Sequence, residues 1–261
     1  MGLHVNHETG EPCEFPEMSE ALQIRIVTYN IHKCRGLDRR ISPSRIAEVL
    51  RKLNADCIAL QEVVRSSESV DGNQAQFIAA TLKGYDVVFG PNRPLGKGDY
   101  GNAILSRLPV EYSENYNLTC GKLEPRGCLR TDVRLPNRQV LHFFNVHLGT
   151  SFTERRLQGA KLLSESLLRN AAHTGPRLIV GDFNEWSRGL TTKSMAQEFR
   201  SVDPREHQRN AKTYPGVFPI VHLDHIYYDH GLELKKFRVV KTARALLASD
   251  HLPLVADFAV G

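Results

Sequence analysis

The chain lacks any hydrophobic run long enough to cross a membrane. Its 261 residues are 41% hydrophobic and 24% charged, an ordinary balance for a soluble globular protein. No apolar stretch approaches the roughly 18 residues that a spanning helix needs. The first residues also lack the basic start and apolar core of a secretory signal peptide. We therefore expect a cytoplasmic protein, although a signal removed before residue 1 would leave no trace in the sequence.

Cysteine pairs are missing as well. The five cysteines are an odd number and form no Cys-x-x-Cys pair, and a chain of this length does not need disulfides for stability. This usage favours a reducing compartment and argues against a structural zinc site. Length and composition predict a monomer with a polar lead-in over residues 1–22 and one large domain over residues 23–261.

Three familiar catalytic motifs are absent. The chain has no Gly-x-Ser-x-Gly elbow, no His-Glu-x-x-His pair and no phosphate-binding P-loop. These absences argue against an α/β-hydrolase-type serine hydrolase, a zinc protease and a P-loop nucleotide hydrolase.

Acidic residues are scarce outside the N-terminal stretch. Residues 1–22 hold five glutamates and no Lys or Arg, and removing those five from the 29 acids of the whole chain leaves 24 against 34 Lys and Arg. Such a surplus favours an anionic partner, with phosphate as the first candidate. A solvated basic surface would give the same composition.

The clearest positive signal is a set of apolar runs that end in polar residues. Residues 177–180 read as a buried strand, with Asp182 and Asn184 just beyond it. A single Asp-Phe-Asn could be only a turn. However, the same pattern recurs with four further endings, namely Asn30-Ile31-His32, Gln61-Glu62, Asn145-Val146-His147 and Ser249-Asp250-His251. Several such strand ends at one sheet edge are the expected layout of a metal-assisted hydrolytic site.

Strand signals outnumber helix signals along the chain. Helices are predicted near residues 43–53, 75–82, 153–173 and 192–199, and the third has an apolar stripe of Leu157, Ala160, Leu163, Leu167 and Leu168. Residues 57–60 read as a short strand, and residues 90–98 as a Gly/Pro loop. Many strands with few helices predict an α+β sandwich, with sheet packed on sheet and helices outside.

Seven short motifs, in this order, carry a family resemblance. They are Thr28-Tyr29-Asn30, Leu60-Gln61-Glu62, Gly101-Asn102-Ala103-Ile104-Leu105-Ser106, Asn145-Val146-His147-Leu148, Gly181-Asp182-Phe183-Asn184, Leu223-Asp224-His225-Ile226 and Ser249-Asp250-His251. With them the chain resembles the endonuclease/exonuclease/phosphatase superfamily from about Ile24 to Phe258. The resemblance implies a four-layer α/β/β/α sandwich of the DNase I-like type, with two packed, mostly antiparallel sheets and outer helices.

The resemblance also implies a reaction, namely hydrolysis of a P–O bond by activated water. It makes Asp182 the base for that water and Asn184 a residue that fixes water or phosphate. His251 would contact the phosphoryl oxygens and Asp224 would hold its other ring nitrogen, while His147 would make a second phosphate contact.

A divalent cation, Mg²⁺ or Mn²⁺, is the implied cofactor. Glu62 and Asn30 would hold it through oxygen atoms, which suit such an ion, and Asp250 would lie nearby. Further phosphate contacts are expected from Tyr100, Asn102, Arg126, Lys33 and Arg35. Taken singly, Asn30 could instead cap a turn, His147 could be a core histidine and Asp224 could pair with an Arg.

The substrate is less determined than the reaction, because the fold and reaction centre do not name it. The basic surplus favours a nuclease that acts on DNA or RNA. The alternative is a sphingomyelinase-like enzyme for phospholipids or another small phosphodiester, for which residues 215–219 are the only apolar loop suited to membrane contact. A third hypothesis is an inactive phosphate-binding module, although no expected acid is missing.

Overall fold

A computed structural model describes residues 22–67, 72–186, 189–202, 212–216 and 220–261. The predicted lead-in, apart from Leu22, and residues 217–219 of the apolar loop lie outside the described residues. Within them, no helix is long and apolar enough to cross a membrane. The described cysteines, Cys34, Cys57, Cys120 and Cys128, are buried free thiols.

Twelve strands and five α-helices make up the described part of the chain. The strands are β1 Gln23–Asn30, β2 Cys57–Ser66, β3 Asp86–Leu95, β4 Gly98–Ser106, β5 Val110–Asn117, β6 Gly127–Arg134, β7 Val140–His147, β8 Arg177–Asp182, β9 Arg200–Ser201, β10 Asp224–Tyr228, β11 Leu232–Val239 and β12 Leu254–Val260. The helices are α1 Pro43–Arg51, α2 Gln74–Leu82, α3 Phe152–Leu162, α4 Leu190–Glu198 and α5 Ala243–Ala248. A short 3-10 helix covers His32–Cys34.

The strands form two six-stranded sheets. The order in the first sheet is β11-β12-β1-β2-β4-β3, and that in the second is β5-β6-β7-β8-β10-β9. Only the pairs β1-β2 and β7-β8 are parallel among the described ladders. Helices α1, α2 and α5 pack with the first sheet, and α3 and α4 with the outer face of the second. The predicted α+β sandwich with mostly antiparallel sheets and outer helices is therefore confirmed.

Central strands are apolar along most of their length because both of their faces are covered. Strand β1 is buried continuously from Ile26 to Asn30, and β8 is buried from Leu178 to Asp182. Such strands read as continuous apolar runs rather than as alternating patterns. The two parallel pairs place their carboxyl ends at the same edge, with Asn30 opposite Gln61 and His147 opposite Asp182.

Two strand predictions were too short. Strand β2, predicted over residues 57–60, continues to Ser66, so Glu62 lies inside it. Residues 90–95, expected in a loop, belong to β3, and only Gly96 and Lys97 form the turn to β4. Strand β3 tolerates Pro91 and Pro94 because it lies at the sheet edge, where a missing N–H removes no ladder bond.

The predicted third helix was wrong in its length and in part of its buried face. Helix α3 ends at Leu162 instead of near His173, and Leu157 and Ala160 of the predicted stripe are exposed. Its buried face consists of Glu154, Gln158, Gly159 and Leu162. Gly159 allows close contact with Thr191 of α4, and the Gln158 amide bonds the Gly149 N–H and the Glu154 carboxylate. The side of α3 that faces the protein interior therefore carries the polar residues Glu154 and Gln158 instead of the predicted Leu157 and Ala160.

Candidate active site

The Asp182 carboxylate is the centre of the polar cluster at the shared sheet edge. It is the last residue of β8 and is buried. Its Oδ2 atom accepts a hydrogen bond from Asn30 Nδ2 at 3.0 Å and lies 3.6 Å from His251 Nε2 and 3.7 Å from His147 Nε2. Its Oδ1 atom accepts from the Asn184 backbone N–H at 2.9 Å. Side chains that follow separate strands and loops thus meet at one carboxylate.

Glu62 reaches this centre through an irregularity in β2. The pairing of β2 with β4 shifts register between Leu60 and Val63, and Glu62 has a positive φ of 57°. A bulge of this kind redirects a side chain out of the regular alternation. Glu62 Oε1 accepts from Asn30 Nδ2 at 3.2 Å, and Oε2 accepts from Lys33 Nζ at 2.8 Å. Asn30 therefore connects Glu62 to Asp182.

The charge on Glu62 is stabilised by its neighbours. Burial by itself would raise the pKa of this carboxyl, but the Lys33 charge and the hydrogen bonds from Lys33 and Asn30 lower it. The carboxylate is therefore ionised at neutral pH.

His251 is held by Asp224 at the start of β10. Its Nδ1 lies 2.9 Å from Asp224 Oδ2, and both side chains are buried. Burial opposes the positive charge, but Asp224 and Asp182 raise the pKa of His251 to about 10. Burial and the Asp224 charge also raise the pKa of Asp182. His251 is thus an imidazolium whose Nε2–H faces Asp182.

His147 has a different environment on the other side of Asp182. The Arg126 guanidinium contacts the His147 ring, with an Nη1 to Nδ1 distance of 3.1 Å. Burial and the Arg126 charge lower the pKa of His147 well below its usual range. His147 is therefore neutral while His251 is charged, although both rings face one carboxylate.

Asn184 occupies a constrained turn directly after β8. Its φ is +52°, a conformation that Asn tolerates better than most residues. Its side-chain Nδ2 donates to the Leu148 carbonyl at 2.9 Å. Gly181, with a φ of +137°, has no room for a side chain, because a Cβ would lie 1.9 Å from the Val146 carbonyl oxygen. The backbone on both sides of Asp182 is thus fixed.

Asp250, Arg35 and Tyr100 are further residues that were predicted for the site. Asp250 contacts His32 at 3.5 Å and Ser249 at 3.4 Å, and it lines a cavity of about 360 Å³ together with Arg35. Tyr100 is buried, with the cationic groups of Lys33 and Arg93 over its ring.

Asn102 of β4 lies between the two sheets. It is fully buried and donates to the carbonyls of Gly127 and Asn145. Its amide therefore joins β4 to backbone groups of the second sheet, and the phosphate contact of Asn102 stays a prediction.

A buried amide bridge between the sheets was not predicted from the sequence. Asn145 of β7 donates from Nδ2 to the carbonyls of Leu60 and Ala103, both at 2.9 Å, and its Oδ1 accepts from Gln61 at 2.7 Å. These partners belong to the first sheet, while β7 belongs to the second. The only signal in the sequence is an amide inside an apolar run, Val140–His147.

Two groups of side chains offer different prospects for a metal ion. Asp182, Asp224 and His251 have ligand atoms within 4.8 Å of one another, but His251 Nδ1 and Asp224 Oδ2 already contact each other at 2.9 Å. Glu62 offers carboxylate oxygen atoms, the donors that Mg²⁺ and Mn²⁺ prefer, while Asn30 faces Glu62 with Nδ2 and its Oδ1 accepts from the His32 N–H. The ionised Glu62 carboxylate already faces the Lys33 ammonium. The residues at Glu62 therefore fit a hard divalent cation.

Comparisons with known proteins identify the family of this chain. A profile described as "Endonuclease/Exonuclease/phosphatase family" matches residues 27–251. Protein YbhP of Escherichia coli (strain K12) is 30% identical over 254 residues, which cover 93% of this chain and 98% of YbhP.

Solved structures of low sequence identity share the fold. An endonuclease/exonuclease/phosphatase from Beutenbergia cavernae DSM 12333 superposes with a TM-score of 0.75 at 22% identity, covering 92% of this chain and 72% of that one. The human Nocturnin catalytic domain with bound sulfate anion gives 0.74 at 22% identity, covering 92% and 96%. The family predicted from the motifs is confirmed: the chain belongs to the endonuclease/exonuclease/phosphatase family, whose activity is phosphoester hydrolysis.

Proposed function

We propose that the chain is a divalent-metal-dependent phosphodiesterase that cleaves P–O bonds in DNA or RNA. The observation that carries this proposal is the Asp182 carboxylate, which lies between two histidines and is joined to Glu62 through Asn30. This arrangement supports hydrolysis because three groups would act on one phosphate. They are Asp182 as general base, the protonated ring of His251 as hydrogen-bond donor and the ionised Glu62 as metal ligand.

Asp182 is the proposed base for the attacking water. Donors from Asn30 and the Asn184 backbone hold its two oxygens in a fixed orientation. Burial raises its pKa, which makes the ionised carboxylate a stronger proton acceptor than an exposed aspartate. Asn184 keeps this geometry through its positive φ and its bond to Leu148.

His251 is the proposed donor to the phosphoryl oxygens. Asp224 occupies Nδ1 and leaves the Nε2–H free to face a negatively charged group. Fixed donors of this kind stabilise the charge that develops in the transition state. His147 and its Arg126 partner supply a second contact from the opposite side of Asp182.

Glu62 and Asn30 are the proposed ligands of Mg²⁺ or Mn²⁺, with Asp250 nearby. When bound, such an ion neutralises phosphoryl oxygens and polarises the P–O bond. Cationic side chains near these ligands include Lys33 beside Glu62 and Arg35 in the adjoining cavity. Together with the basic surplus of the chain, they support a polyanionic substrate.

The test is hydrolysis of plasmid DNA, single-stranded RNA, bis(p-nitrophenyl) phosphate and sphingomyelin with Mg²⁺, Mn²⁺ or EDTA. We expect metal-dependent cleavage of nucleic acid that falls by about 10²-fold or more in Asp182→Asn, because the general base is lost. Asp257→Asn is the matched control, since it removes an acid paired with Arg25, outside the polar cluster. Preferred cleavage of sphingomyelin would overturn the substrate assignment, and full activity of Asp182→Asn would overturn the assignment of the base.

A further inference from the structure

A line of aromatic rings leads outward from His251. The Tyr214 ring centroid lies 4.9 Å from that of His251, and the Trp186 ring centroid lies 6.4 Å from that of Tyr214. Trp186 is the single tryptophan of the chain and is 61% exposed. It follows Asn184 by two residues, so the same turn that fixes Asp182 also presents the indole.

Tyr214 is held in place by its backbone and is half-buried. Its N–H donates to the Val221 carbonyl, and its own carbonyl accepts from the N–H groups of Ile220 and Val221. The neighbouring Thr213 carbonyl accepts from the Leu252 N–H at 3.0 Å. The Tyr214 segment is thus anchored to the residue that follows His251, and its ring keeps a fixed relation to the reaction centre.

These rings have no evident role in the protein core. Trp186 is mostly exposed to solvent. The Trp186–Tyr214 and Tyr214–His251 centroid distances lie in the range of aromatic pairs in contact. The cationic groups at the site, Lys33 and Arg126, contact Glu62 and His147 instead. The Trp186 and Tyr214 ring planes are inclined at 68° to each other, so the exposed Trp186 ring offers an apolar face, with Tyr214 packed against it, next to a site otherwise built from charged and polar groups.

We propose that Trp186, supported by Tyr214, forms an aromatic shelf that stacks on the base of the nucleotide adjoining the scissile phosphate. This inference rests on the proposed function, and it narrows the substrate from DNA or RNA in general to strands whose bases are unpaired. Stacking on exposed aromatic side chains is how proteins hold single-stranded nucleic acid without reading its sequence. The shelf accordingly favours unpaired strands and has little preference among the bases.

Trp186 is also the reporter for a direct binding test. The wild-type protein in EDTA is titrated with a short oligothymidylate and with the same oligomer lacking all of its bases, while indole fluorescence is recorded. We expect quenching by the first and little change with the second. Equal quenching by both oligomers would overturn the shelf. Quenching only by vesicles of phosphatidylcholine and phosphatidylglycerol would also overturn it and would indicate a membrane contact instead.

Kinetics supply the second arm of the test. Trp186→Ala should raise the KM for the oligothymidylate about 5- to 150-fold, the range expected for loss of one stacking contact, with a smaller change in kcat. Trp186→Phe and Tyr214→Phe should retain most of the affinity because the ring remains. Phe152→Ala, which removes another exposed aromatic ring, on α3, should leave KM unchanged.

The two hypotheses fail in different ways. If base-dependent quenching occurs in a protein that hydrolyses no phosphodiester, the shelf stands and the proposed function falls. If nucleic acid is hydrolysed but neither the quenching nor KM depends on Trp186, the proposed function stands and the shelf is overturned.

Discussion

Gly181 determines how β8 presents Asp182. Its φ of +137° and the 1.9 Å approach of a hypothetical Cβ to the Val146 carbonyl oxygen exclude a side chain without backbone movement. We expect Gly181→Ala to lower the free energy of unfolding by about 2–4 kcal/mol and to reduce hydrolysis, since Asp182 must shift with the backbone. Urea unfolding and phosphodiester assays measure the two effects.

Gly84 is the control for this substitution. Its φ is also positive, at +72°, but a methyl group added at its Cα would meet no atom within 4 Å beyond its chain neighbours. Gly84→Ala should therefore cost only the backbone strain, about 1–2 kcal/mol, and leave activity intact. Equal losses of stability in the two variants would show that the Val146 contact is unimportant.

We expect the stability of the fold to depend on pH through His173, a buried histidine outside the candidate active site. Burial and the Arg130 charge lower the pKa of His173 to about 4, below the ordinary histidine value of about 6.5. As pH falls from about 6.5 towards 4, the unfolded chain binds a proton that the folded chain does not, so stability is lost. Above about pH 6.5 the ring is neutral in both states and this loss is absent.

Replacing His173 tests that assignment. His173→Phe preserves the ring that packs against His142 and Phe144 and should reduce the fall in Tm between about pH 7.5 and pH 5. His230→Phe, at an exposed histidine, should retain the wild-type fall. The assignment would be wrong if the two variants showed the same pH profile.

At the scale of elements, α3 packs through polar residues. Gln158 is fully buried and bonds the Gly149 N–H at 2.8 Å and the Glu154 carboxylate at 3.0 Å. We expect Gln158→Leu to lower the free energy of unfolding by about 1–3 kcal/mol, because two buried polar groups lose their partner. Leu157→Ala, at a position 52% exposed, should change stability by less than about 0.5 kcal/mol. Chemical denaturation of both variants distinguishes this face from one buried through Leu157.

The same helix shows where sequence patterns stop being informative. Periodicity predicted that a helix begins near Thr153, but it assigned Leu157 to the core, since the pattern weighs leucine above glutamine. The contacts that bury Gln158 come from Gly149 and Glu154, and they depend on tertiary packing. Similarly, the polar pair Gln61-Glu62 was taken as a strand end, whereas a bulge lets β2 continue. Bulges have no reliable local signature when glycine is absent.

For the whole molecule, the fold and the family were predictable because strand-end motifs occur in a fixed order over nearly the full chain. The approach of Asn30 and Asp182 to one edge followed from the ends of β1 and β8, but Glu62 reaches it through a bulge in β2, and His251 precedes β12, which is antiparallel to β1. The opposite charge states of His147 and His251 did not, because they depend on Arg126 and Asp224, which the fold brings into contact. The aromatic rings beside His251 were likewise not predicted, because Trp186 and Tyr214 are distant in sequence.

Metal binding should stabilise the folded molecule as a whole. An ion that binds only the folded state at about 100 times its Kd adds about 2.7 kcal/mol, so Mg²⁺ or Mn²⁺ should raise Tm relative to EDTA. Glu62→Gln should abolish most of this shift because the ionised ligand is lost. Glu198→Gln, which removes a surface acid paired with Arg169, should keep it. Differential scanning calorimetry of the three proteins makes the comparison, and a shift that persists in Glu62→Gln would contradict the ligand assignment.

The buried amide of Asn145 resists sliding of one sheet over the other. From its position on β7, Asn145 donates hydrogen bonds to backbone carbonyls of β2 and β4 and accepts one from Gln61. Sliding one sheet over the other would therefore break three buried hydrogen bonds together. Loops at the rim can therefore lengthen, shorten or change composition while the two halves stay in alignment. All of the bonded residues lie in strands, so the alignment of the two sheets at this point does not depend on the rim loops.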